Sequence, residues 1–136
     1  MFTILVTFLT VIADQITKYF VCINMDLGET IPVIKNVGHL TYIINPGAAF
    51  GLFPHQDVLF LGIVMILLLA FAWLRNRIPQ KPVYFPLSIG LLLGGAVGNA
   101  LDRCRIGGVV DFFDFRIWPI FNVADIAICI GVACIA

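Results

Sequence analysis

The sequence predicts an all-α membrane protein, four transmembrane helices with a small extracytoplasmic β-subdomain, forming a single domain over 1–136. Composition is the first reason: the chain is 61% hydrophobic and 12% charged, with mean hydropathy +1.05, where a soluble domain carries about a quarter charged residues. Secondly, four stretches approach the ~20 apolar residues that a bilayer crossing needs. Thirdly, the charges are unevenly placed: RNRIPQKP holds Arg75, Arg77 and Lys81 and no acid.

The first span covers about 1–23. MFTILVTFLTVIA could pass for a signal-peptide core, but it has no basic n-region and no small-residue cleavage site follows it. Asp14 and Lys18 come instead, so it reads as a retained helix. The connection over 24–57 carries Asp26, Glu29 and Asp57 against Lys35 alone, which places it outside. A structureless loop of that length is uncommon. ETIPVI and HLTYIIN within it are rich in β-branched and aromatic residues and suit short strands. The second span, 58–74, is uncharged. The basic connection after it belongs in the cytoplasm, and both termini with it.

The third span, 83–101, ends in GGAVGNAL, where Gly94, Gly95 and Gly98 suit close helix packing. Arg103, Arg105 and Arg116 follow on the outer side, balanced by Asp102, Asp111 and Asp114, so some of these arginines are expected to be paired within the fold. GGVVDFFDF could add a strand to the β-element. The fourth span covers about 117–136. Within it Pro119 suits entry to a helix, Asn122 is a good N-cap, and Asp125 falls at N3, where the macrodipole favours a carboxylate. A helix starting near Asn122 has only about 15 residues left, short of a span, so the protein is expected to continue beyond residue 136.

The four cysteines, Cys22, Cys104, Cys129 and Cys134, have no CxxC spacing and read as small buried hydrophobes. The net charge of zero offers no basic patch for nucleic acid.

Ionisable residues at membrane depth are expensive and functional by default. With this topology Asp14, Lys18, Asn99, Asp102, Asp111, Asn122 and Asp125 all converge near the outer surface, and Asn45 can join them from the outside loop. Ser88, the only serine, lies towards the other surface, which argues against a Ser-His arrangement. His39 and His55 show no HExxH spacing, so no metal site is expected, and a Cys104–His dyad is poorly supported. Carboxylates remain. Two close carboxyl groups cannot both ionise easily, which supplies a general base for water and a general acid for the leaving amine. Asp111 and Asp125 are the natural pair, one on the loop and one on the helix below it, in apolar surroundings that favour sharing one proton. Blander readings stand beside this. Asn122 and Asp125 could serve only as a cap; Asn99 and Asp102, three apart on one helix face, could form an internal brace with Arg103; Asp14 and Lys18, four apart, suit a structural ion pair.

Five segments in order, ADQITK, NPGAAFG, GNALDR, VVDFFDF and FNVAD, resemble the bacterial lipoprotein signal peptidases, or type II signal peptidases. The resemblance covers nearly the whole chain. It implies an intramembrane-type aspartyl endopeptidase of the inner membrane, with its active site near the outer face and no cofactor. The implied partners are membrane lipid and a diacylglyceryl-modified prolipoprotein, cut just before the lipidated cysteine, and peptide inhibitors of the globomycin type would occupy the site. The family's catalytic aspartates fall on Asp111 and Asp125, and its supporting polar residues on Asn45, Asn99, Arg103 and Asn122. Asp102 is the reserve partner for Asp125, and Asp14 and Lys18 complete the supporting set. The spacer from Asp111 to Asp125 is short beside some members, implying a smaller outer lid, and no basic tail follows the fourth helix. A monomer is expected.

Two rivals come from other classes. A proton- or ion-coupled transporter would also use intramembrane carboxylates, but no inverted repeat appears and the second span offers no polar relay. A structural or assembly subunit would use the aspartates for stability alone.

Overall fold

A computed structural model describes residues 1–47 and 53–135. The motif NPGAAFG is therefore described only at Asn45, Pro46 and Gly47; its residues 48–51 lie outside the described residues. The order of elements is α1 (Phe2–Asn24), β1 (Thr30–Ile34), β2 (Gly38–Asn45), α2 (Asp57–Leu74), α3 (Tyr84–Ile106), β3 (Val109–Asp114) and α4 (Val123–Ile135).

α1 is amphipathic in an unusual sense. Its buried residues, Thr3, Val6, Thr10, Asp14, Lys18 and Val21, recur every three or four positions and form one stripe, while its outward face is apolar. That stripe packs on α3 through glycines four apart. A Cβ at Gly90 would lie 2.6 Å from Val6 Cβ, one at Gly94 2.5 Å from Thr10 Cβ, and one at Gly98 2.5 Å from Asp14 Oδ2. In lipid the apolar outer faces gain nothing by meeting each other, so close backbone approach and polar contacts hold helices together. α4 docks on a second face of α3 by the same device, Gly131 lying against the Ser88 carbonyl. α2 buries none of its residues.

The three strands form an antiparallel sheet in the order β1-β2-β3. ETIPVI and HLTYIIN supply β1 and β2, and GGVVDFFDF supplies β3, as their composition suggests. Val110 and Phe112 on β3 close a core with Val21 and Met25, which seats the sheet on the end of α1. The β2–β3 register sets Asp111 opposite Ile43, with a bulge between Leu40 and Ile43.

Three helices among the described residues are long and apolar enough to cross a membrane: α1, α2 and α3. Two of the expected spans need correction. α3 runs to Ile106, beyond the expected 101, because its charged last turn is used internally and ends only where Gly107, at φ +66, returns its N–H to the Arg103 carbonyl. α4 starts at Val123 and not at 117. Phe121 is taken by the sheet, exchanging hydrogen bonds with Phe113 (2.8 and 3.1 Å), and Asn122 then caps. The 13 residues of α4 rise about 20 Å. The cysteines are also corrected: all four are exposed, because in this chain the surface away from the bundle is itself apolar and a small hydrophobe needs no burial within the protein.

The expected arginine pairing is present. Arg105 meets Asp102 at 3.0 Å, Arg116 meets Asp114 at 3.4 Å, and Arg103 Nε lies 3.7 Å from Asp57.

Candidate active site

The site grows from three places that the sheet and α3 bring together. Asp111 comes from β3, where burial leaves it 2% exposed. Asn45, at the end of β2, donates to its Oδ2 at 3.1 Å, and Asn122 donates to its Oδ1 at 2.6 Å. Asp125 comes from the first turn of α4. Its backbone N–H donates to Asn122 Oδ1 (2.9 Å) and its Oδ2 accepts from the Asn122 N–H (3.2 Å), a reciprocal capping box. Its Oδ1 accepts from Asn99 Nδ2 of α3 at 2.8 Å. Asn122 thus touches both carboxylates. The capping expected of the Asn-x-x-Asp spacing is present, and the same asparagine bonds to Asp111.

Asp111 and Asp125 share a groove of about 550 Å³ with Asn45, Asn99 and Arg103. Its remaining wall is largely apolar, including Phe115, Trp118, Ile126 and Ile130. Burial above all, and then the facing Asp125 carboxylate, push the Asp111 carboxyl up to about 7, against the pull of its hydrogen bonds from Asn45 and Asn122. A carboxyl near 7 can hold a proton at neutral pH, which a general acid needs.

Arg103 closes one end. Its Nη2 donates to the Gly47 carbonyl at 3.0 Å, and its guanidinium lies 4.4 Å from the Phe60 ring centre of α2. Asp14, Lys18, Asp102 and Asn122 lie behind the groove lining. Lys18 binds Asp14 (2.9 Å), Asp102 (2.8 Å) and Asn99 Oδ1 (2.9 Å). Asp102, the reserve partner, is fully engaged. Its Oδ2 also accepts from the Val110 N–H (3.1 Å), and its Oδ1 accepts from Gln15 (3.2 Å) and Arg105 (3.0 Å). It ties α1, α3 and β3 together and leaves the groove to Asp125.

Gln15 of ADQITK carries no role in the sequence reading, yet it joins Asp14, Asp102, the Gly98 carbonyl and Arg105. That reading also counts Asp57 only as a loop acid. Neither lies at helical spacing from the residues it meets, so no periodic signal marks them. Among the described residues no group of three or more His, Cys, Asp or Glu side chains is placed to hold a metal ion.

Asp14 Oδ1 accepts the Ala124 N–H at 3.0 Å, so an aspartate of α1 caps α4 across the bundle. Asp14→Ala is expected to cost about 3 kcal/mol, because it removes one of the two buried carboxylates that Lys18 meets and leaves the Ala124 N–H without its acceptor. A fall in the thermal midpoint of the purified protein checks this.

From residue 6 to residue 136 the chain matches the family model described as Signal peptidase (SPase) II. It is 46% identical over 130 residues to the lipoprotein signal peptidase of Moorella thermoacetica, covering 95% of this chain and 86% of that one. It is 47% identical over 133 residues to the lipoprotein signal peptidase of Pelotomaculum thermopropionicum, covering 96% and 86%. Among solved structures it is similar to a bacterial membrane enzyme determined by the in meso method at 2.3 Å resolution, with TM-score 0.90, 37% identity, and coverage of 98% of this chain and 84% of that one.

Proposed function

The chain belongs to the signal peptidase II family, and from that premise we propose that Asp111 and Asp125 are its catalytic pair. The protein is an aspartic-type membrane peptidase that removes signal peptides from prolipoproteins. The transporter alternative finds no support among these relatives, nor does a purely structural subunit. One observation carries the assignment of the pair: two carboxylates in one groove, each bonded to Asn122.

In this reading the pair holds a single proton. The ionised aspartate takes a proton from water as its oxygen attacks the scissile carbonyl carbon. The protonated one donates to the carbonyl oxygen. As the tetrahedral species collapses, the C–N bond breaks and a proton passes to the leaving nitrogen. The precursor is diacylglyceryl-modified and is cut before the lipidated cysteine, its acyl chains running along the apolar wall into lipid. Asn45, Asn99, Asn122 and Arg103 hold the pair and the substrate, with Asp14, Lys18 and Asp102 behind them.

Residues 1–136 then form one membrane-embedded peptidase domain that crosses the bacterial inner membrane four times and works as a monomer. Both termini lie in the cytoplasm and the active site near the outer face. The acid-free loop with Arg75, Arg77 and Lys81 supports that orientation. Purified protein should cleave a lipidated precursor, leave the unlipidated one intact and be blocked by globomycin. Failure to cleave the lipidated precursor overturns the reading.

The pH profile is a further expectation. With Asp111 raised to about 7, kcat/KM falls as pH climbs above about 7, because the shared proton is lost. The Asn45 hydrogen bond lowers that value, so Asn45→Ala moves the alkaline limb to higher pH. An unmoved or acid-shifted limb rejects Asp111 as the titrating group.

A further inference from the structure

We propose that Lys18 is a positioning residue for the reaction: it holds the Asn99 amide in the orientation that presents its N–H to Asp125. This rests on the reading of Asp111 and Asp125 as the catalytic pair. Three amides serve that pair, and an amide can face either way unless its oxygen end meets a group that only donates. Asn45 Oδ1 accepts from the Gly47 N–H at 2.9 Å, and Asn122 Oδ1 from the Asp125 N–H at 2.9 Å. Both of these locks are backbone groups. Asn99 takes its orientation from side chains. Its Oδ1 accepts from Lys18 Nζ at 2.9 Å and from Asn122 Nδ2 at 3.1 Å.

The Asn122 bond is the lesser lock. Its two amide protons are spread over Asp111 at 2.6 Å, the Val110 carbonyl at 3.2 Å and Asn99 at 3.1 Å. Lys18 is dedicated by contrast. It is 2% exposed, and its three protons meet three acceptors, on Asp14, Asp102 and Asn99. The two flanking carboxylates, at 2.9 and 2.8 Å, fix where the third proton points. A flipped Asn99 would set its NH₂ against an ammonium and its oxygen against the Asp125 carboxylate. Lys18 excludes that state and so acts on Asp125 without touching it.

The test compares turnover per folded enzyme, on a lipidated precursor, for the parent, Lys18→Met, Asn99→Ala and the double variant. Folded fractions come from thermal unfolding. Lys18→Met should lower kcat by about 10²-fold, the scale of losing one aimed donor, with KM held. The double variant should be no slower than Asn99→Ala alone, since Lys18 acts through that amide. If Lys18→Met does not fold, Lys18→Met with Asp102→Asn keeps the buried charge balanced and takes its place, with the same low kcat expected. Parental kcat in the folded variant overturns the proposal, as do losses that multiply independently in the double variant. Asp125→Asn is run alongside. If it is inactive while Lys18→Met turns over normally, only the role of Lys18 falls; if it cleaves normally, the aspartate pair falls and the role of Lys18 with it.

Discussion

Asp111→Asn and Asp125→Asn are each expected to lower kcat on a lipidated precursor by about 10³-fold or more while the protein still folds and inserts. Asparagine keeps the size of the side chain and an oxygen for the incoming hydrogen bonds, but it can neither take the proton of water nor return one to the leaving nitrogen. The two positions differ in what the change does to stability. Asp111 is pushed up to about 7 by burial and by Asp125, so its folded value lies above its unfolded one. Its contribution is therefore fully present below about pH 4, declines as pH rises and is lost above about 7. At pH 8, Asp111→Asn removes a buried charge and should melt no lower than the parent. At pH 4 the parent recovers its advantage. Comparing thermal midpoints and turnover of the same preparations separates lost chemistry from lost structure. A variant that cleaves at the parental rate removes its aspartate from the mechanism.

Gly94→Leu is expected to destabilise the protein by about 3 kcal/mol and to abolish cleavage, although Gly94 is absent from the groove lining. A Cβ there would lie 2.5 Å from Thr10 Cβ and 2.8 Å from the Thr7 carbonyl. The second of these is backbone and cannot rotate away, so α1 and α3 must separate. That separation pulls Lys18 and Asp14 of α1 from Asn99 and Asp102 of α3. Gly62→Leu on α2 is the control. Nothing lies within 4 Å of a Cβ at that position, so thermal midpoint and turnover should both hold. Equal effects at the two glycines would mean that close approach along α1 and α3 is not what assembles the site.

Much of this was legible in the order of residues. Three membrane-capable helices follow from hydropathy, strands from β-branched runs, and the placement of Asp125 from the preference of Asn for an N-cap and of a carboxylate for N3. The Asp14–Lys18 pair follows from helical spacing. The partners of that pair do not. Lys18 reaches Asp102 and Asn99 only because glycines let α3 approach, and a hydropathy scan reads those glycines as weakly apolar. The end of α3 is not legible, because charge in a helix end reads as a loop until its partners on α1 and β3 are known. The exposed cysteines defeat a rule for water-facing proteins, in which apolar means inside.

The bond from the Ala124 N–H to Asp14 joins residues 110 positions apart in the chain. On a ribosome α1 is made long before α4, and its aspartate must wait for the segment it caps. Asp111 likewise is made before Asp125, so the proposed pair is incomplete until α4 has been made. On the proposed pair, activity is expected to begin only when α4 docks on α3 and α1.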